Sequence, residues 1–335
     1  MVIKFKKLAS SFIVNGKTIK NRVVVPPMAD FGMTANDGLV NERHVQHYGA
    51  FASGGAGLII IEACTVSNMN EPRNTIGVFD DSCIPGMSAL AKAVKLNQSV
   101  ALVQLLNSGL SIMQEKTISE ISREKFLAYK ADFISAAVRC KNAGFDGVEL
   151  HAAHGFYLNQ IIETSTRADE YGGSFENRIR IVQELITEIK AICGKDFIVA
   201  VRFGNQNIQE LLQCAQAIEK SGGDILDVST GCTGYDDIPV DFPFDSKIYA
   251  ASLVKRAVNI PVICVGDITS GEQAEQILEF DFADMTAVGR GHLCDPRWAQ
   301  KATANETPNL CRNCRTCMWY IDGRKCPALK RNGED

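Results

Sequence analysis

The stretch that decides the fold is GFDGVELHAAHGFYLNQ, residues 144–160. An apolar, strand-like run ends in two histidines, His151 and His154, and a helical segment follows farther along the chain. Seven other short apolar runs recur, and most of them also lead into helical segments. Because these runs are continuously apolar, they indicate strands buried on both faces, as in a parallel sheet. Roughly 300 residues of such units without a linker-like break predict an α/β fold, a single (β/α)8 TIM barrel.

The barrel is predicted to cover residues 1–300, and residues 301–335 are predicted to form a cysteine-rich tail. Asn15 and Gly16, between two short strand-like runs, signal a two-residue β-hairpin that we expect to cap the bottom of the barrel. A doubly wound sheet is the alternative fold. The glycine-rich G-x-G-x-x-G turn that such a sheet needs after a first strand is missing.

Composition points to small-molecule chemistry. The formal net charge of the 335 residues is −4, which gives no general attraction for nucleic acid or for an anionic membrane. We find no secretory signal and no run of about 18 apolar residues, so we expect a cytoplasmic protein whose thiols stay reduced. Eight cysteines occur singly and are interpreted as inert core residues. They are Cys64, Cys83, Cys140, Cys193, Cys214, Cys232, Cys264 and Cys294.

Polar side chains follow the apolar runs, at the strand ends where a barrel of this kind places its catalytic residues. His151 and His154 can direct two N–H donors at one carbonyl oxygen and stabilise the negative charge that develops there. A structural pair of histidines, or the first half of a metal site, is the alternative interpretation.

Two further strand ends predict contacts to a bound ligand. Arg202 is interpreted as such a contact because a buried arginine needs an anionic or electron-rich partner. Gln104 offers both a donor and an acceptor, which suits a ring that bears amide groups. The loops after the last two runs predict a phosphate site. Its residues are Gly266, Gly289 and Arg290.

Eight blocks of the sequence resemble the old yellow enzyme family of FMN-dependent ene-reductases. The resemblance is strongest to the branch that holds 2,4-dienoyl-CoA reductase and trimethylamine dehydrogenase. It extends in order from Asn21 to about Trp298, and HAAHG and DEYGGSFENR are its most specific parts. The blocks are NRVVVPPMADFGM, GGAGLIIIEACTVS, VQLLNSG, AGFDGVELHAAHGFYLNQ, TRADEYGGSFENRIRIV, VAVRFG, VICVGDI and AVGRGHLCDP.

The resemblance implies an FMN at the mouth of the barrel and NADH or NADPH as the reductant. The implied reaction is hydride transfer from the flavin to the C=C bond of an α,β-unsaturated carbonyl compound, whose oxygen His151 and His154 would bind. Gln104 would bond the pyrimidine edge of the flavin, and Arg202 would stabilise charge at its N1–O2 side. The flavin ring would contact Pro26, Pro27, Met28, Ala29 and Ala63, and its phosphate would lie at Gly266, Gly289 and Arg290.

Several positions depart from the family pattern. Phe156 replaces the tyrosine that protonates the α-carbon, and Tyr157 is the candidate donor only if the backbone turns it inward. Asn107 and Leu110 stand where histidine and arginine are common, which we expect to reshape substrate access. Ala29 replaces the redox-tuning cysteine of one subgroup.

The cysteine-rich tail has the spacing C-x2-C-x2-C-x8-C, formed by Cys311, Cys314, Cys317 and Cys326. Four thiolates this close can bind an iron–sulfur cluster or a Zn2+ ion. The dienoyl-CoA reductase branch carries a [4Fe-4S] cluster on a similar, longer spacing, so the resemblance favours the cluster over zinc or over free thiols. Those reductases continue into further cofactor domains, whereas this chain ends at Asp335. We therefore expect a separate electron-donor protein, or a cluster with a structural role.

Two other functions remain open at this stage. One is a dealkylating or demethylating flavoprotein, and the other is an FMN/iron–sulfur electron-transfer subunit of a larger complex. In the main interpretation the partner is a small-molecule unsaturated carbonyl compound, with neither nucleic acid nor membrane involved, and the oligomeric state is left open.

Overall fold

The computed structural model describes residues 5–29, 33–35, 37–67, 75–107, 118–231, 235, 238–320 and 322–329. Within these residues, eight parallel strands form a closed barrel. The strands are β3 (Val23–Val25), β4 (Leu58–Thr65), β5 (Val100–Leu106), β6 (Gly147–Ala152), β7 (Ile198–Phe203), β8 (Ile225–Val228), β9 (Val262–Val265) and β10 (Met285–Ala287). Strand β10 closes the barrel by pairing with both β9 and β3. The predicted (β/α)8 barrel is confirmed.

Helices follow the strands and cover the outside of the barrel. They are α1 (Glu42–Ser53), α2 (Ile84–Lys95), α3 (Arg123–Asn142), α4 (Tyr157–Thr164), α5 (Phe175–Cys193), α6 (Ile208–Lys220), α7 (Ser246–Ala257), α8 (Gly271–Glu279), α9 (Gly289–Cys294) and α10 (Trp298–Thr303). Polar side chains cap several of them: Ser174 accepts a hydrogen bond from the Asn177 N–H at the start of α5. Such caps satisfy backbone donors that have no partner inside the helix.

A short hairpin plugs the bottom of the barrel. Strands β1 (Phe12–Val14) and β2 (Lys17–Ile19) pair antiparallel, and the two turn residues have φ of 52° and 76°, as this tight turn requires. Val14 and Ile19 are buried and pack with the inward-facing side chains of the barrel strands. The cap that the sequence predicts is thus present.

The inside of the barrel is divided along its axis. Apolar side chains such as Leu58, Leu102 and Ile198 fill the half next to the hairpin. Toward the carboxyl ends of the strands, the inward positions become polar and remain buried: Gln104, Glu149, His151, Arg202 and Asp227. This change places the polar chemistry of the barrel at the end where such folds carry their active sites.

Strand β6 approaches β7 closely at Gly147, and this gives a stability prediction. A Cβ at Gly147 would lie 2.2 Å from the Ile198 carbonyl oxygen, so Gly147→Ala must push two barrel strands apart. We expect a loss of about 3 kcal/mol in the free energy of unfolding, which is the upper end of the usual cost of overpacking a core. Urea denaturation measures it. Gly49→Ala on α1 is the control, since its Cβ meets nothing closer than 3.8 Å, and an equal loss in both variants would contradict the argument.

The described part of the tail contacts the barrel. The Trp319 ring lies 5.2 Å from the His47 ring of α1, and the Asn309 N–H donates to the Asp295 carboxylate at 2.9 Å. The division of the chain at residue 300 stays a prediction. Leu110 and Cys232 lie outside the described residues. Among the described helices, none has both the length and the apolar character that a membrane crossing requires.

Candidate active site

Strand register brings the predicted site residues together at the mouth of the barrel. His151 at the end of β6 is the register partner of Arg202 on β7, and Arg202 is the register partner of Asp227 on β8. Gln104 on β5 pairs in the same way with Glu149 on β6. Since inward positions alternate along a strand, Glu149 and His151 project into the same interior one above the other.

Two buried carboxyl groups lie beneath the mouth. The Gln104 amide donates to Glu149 Oε1 at 2.8 Å, and Glu149 and Asp227 are both fully buried. Burial, and then the neighbouring Asp227, raises the pKa of Glu149 well above its usual range; burial also raises the pKa of Asp227. Both shifts favour the protonated form, and the larger causes act on Glu149, which is buried and has a second carboxyl nearby.

Arg202 lies between this carboxyl pair and the histidines. Its Nε is 3.5 Å from Asp227 Oδ2, and its Nη2 donates to Ser229 Oγ at 3.2 Å. Arg202 Nε is buried and makes no hydrogen bond within the described residues. A buried arginine whose nearest carboxylate is 3.5 Å away is placed to meet further negative charge on a ligand.

The two histidines form one unit above Arg202. Their rings are 5.1 Å apart at 87°, and the Phe156 ring lies 4.9 Å from His151. His154 has a φ of 61°, a left-handed conformation that is rare outside glycine and clusters at functional sites. Its Nε2 lies 2.9 Å from Ser229 Oγ, whereas His151 Nδ1 is buried without a hydrogen-bond partner in the described structure.

Both histidines are neutral at physiological pH. Burial lowers the pKa of His151 well below its usual range, and electrostatic repulsion from His154 and Arg202 lowers it further. Burial and then Arg202 lower the pKa of His154 to about 4. A neutral imidazole still donates one N–H, so the pair can polarise a bound oxygen without first losing a proton.

A second group of predicted contacts meets where β3 and β10 adjoin. A Cβ at Gly289 would lie 3.2 Å from Met28 Sδ and 3.6 Å from Pro26 Cγ, so the strand ends that carry these residues are in contact. Pro27 and Ala29 continue the same loop and are half-buried, as is Ala63 on β4. The structure therefore gathers these residues at the same end of the barrel as Arg202.

Arg290 is half-exposed and held by two side chains. It makes an ion pair with Asp267, which directly follows Gly266 after β9, and its Nη1 donates to Asn313 Oδ1 at 2.8 Å. Asn313 lies between the first two cysteines of the tail. Arg290 thus joins the predicted phosphate site to the cysteine-rich tail.

Tyr157, the first residue of α4, packs under α3. It is fully buried, and its ring packs against three aromatic rings of α3, from Phe126, Tyr129 and Phe133, at 5.4 to 6.3 Å between centroids. Burial raises the pKa of its hydroxyl. This packing under α3 gives no support to the expected role as proton donor, because Phe156 and not Tyr157 contacts His151.

The four tail cysteines line one small cavity of about 20 Å3. Cys294 and Arg290 line it too. Burial, then Cys311 and Cys326, raises the pKa of Cys294 to about 12, so this fifth sulfur stays a thiol that donates to backbone carbonyls. In the described part of the chain, no three His, Cys, Asp or Glu side chains are placed to hold a single metal ion. Zinc would have to draw its ligands to about 2.3 Å from one point.

Comparison with known proteins identifies the family. The model of the NADH:flavin oxidoreductase / NADH oxidase family matches residues 8–119 and 111–309. The chain belongs to this family. The family resemblance of the sequence is confirmed by this match.

Relatives in this NADH:flavin oxidoreductase family cover the chain to different extents. The NADH oxidase of Thermoanaerobacter brockii is 35% identical over 97% of this chain, which spans only 55% of that relative. The NADPH dehydrogenase of Halalkalibacterium halodurans is 32% identical over 88% of this chain and 94% of its own length. The chain therefore spans about half of one relative and nearly all of the other.

Solved structures confirm the fold of the flavin oxidoreductase barrel. A 2-naphthoyl-CoA reductase gives a TM-score of 0.81 at 20% identity and covers 95% of this chain and 56% of its own. The old yellow enzyme homologue from Zymomonas mobilis gives a TM-score of 0.76 at 21% identity, and the match covers 94% of this chain and 99% of the homologue. At these identities the likeness concerns the fold alone.

Three residues of the site escaped prediction from the sequence. Glu149 and Asp227 carried a signal: each is an acidic side chain within an otherwise apolar strand, and Glu149 lies on the same face as His151, two residues earlier. Ser229 carried none, because a serine after a strand is ordinary. Its role depends on how β8 lies beside β6 and β7 in space.

Proposed function

We propose that the protein is an FMN-dependent oxidoreductase that reduces the C=C bond of α,β-unsaturated carbonyl compounds with NADH or NADPH. The observation that carries the proposal is the pair of neutral imidazoles, His151 and His154, beside buried Arg202 at the carboxyl end of the barrel. This arrangement suits a ligand with an oxygen on one side and a planar, electron-accepting ring below it.

The residues at the mouth fit a flavin. Arg202 is a buried cation at the mouth, with its Nη2 on Ser229 and its Nε 3.5 Å from Asp227, and its positive charge would meet the N1–O2 side of the ring. Gln104 uses one amide hydrogen on Glu149, which leaves its carbonyl oxygen for the pyrimidine edge. Gly289 lets the backbone come close beside Met28. The ring would contact Pro26, Pro27, Met28, Ala29 and Ala63, and Gly266, Gly289 and Arg290 would hold the phosphate.

The chain's own residues would prepare the substrate. Bound FMN supplies the hydride. His151 and His154 donate N–H groups to the carbonyl oxygen, which withdraws electrons from the β-carbon and stabilises the charge on oxygen as hydride arrives. Phe156 has no proton to give and Tyr157 packs under α3, so solvent supplies the proton to the α-carbon.

An anaerobic assay of NADPH and NADH oxidation tests the proposal. With FMN-loaded protein, 2-cyclohexenone should accelerate oxidation of the nicotinamide and be recovered as cyclohexanone. Oxidation that the enone does not accelerate would contradict ene reduction. If only reduced ferredoxin then reduces the flavin, the protein has an electron-transfer role instead of ene reduction. If the protein oxidises an N-methyl amine, it has the dealkylating function instead.

The histidine pair gives a binding prediction that needs no turnover. Phenol should bind the FMN-loaded protein through its oxygen, and His151→Ala with His154→Ala should weaken that binding about 100-fold, since two hydrogen bonds are lost. Titration of the flavin absorbance with phenol measures it. FMN content should stay unchanged, and His47→Ala on α1 is the control. Unchanged phenol affinity in the double variant would refute the assignment.

We propose further that the tail cavity holds a [4Fe-4S] cluster on Cys311, Cys314, Cys317 and Cys326. All four line one cavity. The thiolate ligands of a cluster surround a group of several iron atoms, whereas the ligands of zinc must converge on a single ion. Its electrons would come from a separate donor protein.

Iron and acid-labile sulfide analysis after anaerobic purification tests the cluster. The protein should contain about four irons, and Cys314→Ser should lower the content while Cys193→Ser, at a buried cysteine on α5, should not. One zinc per chain, or no metal at all, would contradict the cluster.

A further inference from the structure

Ser229 is buried directly after β8 and touches both Arg202 and His154. Arg202 Nη2 lies 3.2 Å from its hydroxyl oxygen, and His154 Nε2 lies 2.9 Å from the same atom. Together with the 3.5 Å approach of Asp227 to Arg202, these contacts form a continuous chain from the buried carboxyl pair to one of the two imidazoles.

The direction of the hydrogen bonds in this chain follows from elementary chemistry. A guanidinium has donors only, so Ser229 Oγ must accept from Arg202. The serine then has a single proton to give, and within the described residues His154 Nε2 is its acceptor at hydrogen-bond distance. If His154 carried its proton on Nε2, Arg202 and His154 would both donate to the serine, and its own proton would have no protein acceptor there.

We propose that Ser229 is a positioning residue that fixes His154 in the tautomer with its proton on Nδ1. In this tautomer Nε2 is occupied by the serine, and Nδ1–H is the donor available for a ligand's oxygen. The role of that donor in catalysis rests on the proposed function, whereas the tautomer itself does not.

The backbone supports the same conclusion. His154 keeps its left-handed φ of 61°, which costs free energy for a residue with a side chain. The hydrogen bond to Ser229, whose own N–H donates to the Phe203 carbonyl at 2.9 Å, holds the ring in place against that strain. Adjacent Gly231 lies so close that a Cβ there would be 3.3 Å from His154 Cδ2, which limits rotation of the ring.

Nitrogen-15 NMR of the FMN-loaded protein, with 15N-labelled histidine, tests the proposal directly. Protonated and unprotonated ring nitrogens of a neutral imidazole have separate shifts, and the chain has only five histidines. The resonances of His154 are assigned by their loss in His154→Asn. We expect Nδ1 protonated and Nε2 unprotonated at pH 7. An Nε2-protonated His154 in the wild-type protein would overturn the proposal without any variant of Ser229.

Ser229→Ala gives the second readout. The Nδ1–H tautomer should lose its preference, and phenol affinity should fall about tenfold, as for one lost hydrogen bond. Ser229→Thr keeps the hydroxyl and should restore both. Ser252→Ala, which removes another buried hydroxyl on α7, should change neither. An unaltered His154 tautomer in Ser229→Ala would also overturn the proposal.

The two hypotheses fail in different ways. If phenol does not bind the wild-type protein while His154 shows the Nδ1–H tautomer, the proposed function is wrong and the role of Ser229 stands. If phenol binds tightly and the tautomer is reversed, the proposed function survives and the role of Ser229 is wrong.

Discussion

Arg202→Met should lower the free energy of unfolding by about 3–5 kcal/mol and abolish the binding of FMN. The expected loss of stability follows from removing the only counter-charge that the described structure places beside Asp227, whose Oδ2 lies 3.5 Å from Arg202 Nε. A buried carboxylate without a partner costs that much, or it takes up a proton. Flavin loss is expected because the proposed function assigns the same guanidinium to the N1–O2 side of the flavin.

Chemical denaturation and the FMN content after gel filtration measure the two effects. Arg202→Lys keeps the charge and should lose much less stability, although an ammonium cannot replace the planar fork. Adding Asp227→Asn to Arg202→Met should recover part of the stability, because the uncompensated charge is then gone. If the double variant is no more stable than Arg202→Met, burial of an unpaired carboxylate is not the cause.

Stability should fall steeply as the pH drops from about 6.5 toward 4. Burial lowers the pKa of every histidine in the chain, to about 4 for His44, His154 and His292, to about 3 for His47, and well below the usual range for His151. A lowered pKa means that the folded protein prefers the neutral ring. The stabilisation is therefore complete above the unfolded value, near 6.5, and is lost as the unfolded chain takes up protons below it.

The size of the effect follows from linkage. Three of these rings, in His44, His151 and His292, are less than 5% exposed, and each contributes about 1.4 kcal/mol per pH unit in this window. Burial raises the pKa of Glu149, so this carboxyl keeps in the fold a proton that it loses on unfolding, which opposes the histidines by about 1.4 kcal/mol per pH unit. A slope of about 3 kcal/mol per pH unit remains, which is large beside a typical total of about 5–15 kcal/mol.

Urea unfolding at pH 7.0, 6.0, 5.5 and 5.0 measures this slope. His292→Gln should make it shallower by about 1.4 kcal/mol per pH unit, whatever that variant costs at pH 7. Ser252→Ala, which removes no titrating group, should leave the slope as it is. A flat profile between pH 6.5 and 5 would show that these histidines are protonated in the fold or stay neutral in the unfolded chain.

The mouth of the barrel was predictable from the sequence because the fold assigns a place to each strand end. His151, Arg202 and Gln104 follow recognisable apolar runs, and a (β/α)8 barrel brings the carboxyl ends of all strands to one face. Once the runs had been counted, the placement of His151 and Arg202 side by side on neighbouring strands needed no further information. The Met28 and Gly289 contact followed in the same way from closure of the barrel.

The roles of Tyr157 and Ser229 depended on rotations that the sequence does not specify. The sequence left open whether the backbone turns Tyr157 toward the mouth, and the turn at left-handed His154 and Gly155 places Phe156 beside His151 and Tyr157 under α3. For Ser229, nothing local distinguishes a hydroxyl that orients a catalytic imidazole from one that faces solvent.

The sequence by itself determined the barrel, its hairpin plug and the family, because apolar periodicity and turn residues are local properties that every strand repeats. Only the tertiary structure decided which donors pair, which buried carboxyls adjoin and which cysteines line one cavity. These depend on distances of a few ångströms between side chains that are far apart in the chain, such as His154 and Ser229. Packing of the whole barrel sets such distances, and hydrogen bonds weaken steeply outside their narrow range of geometry.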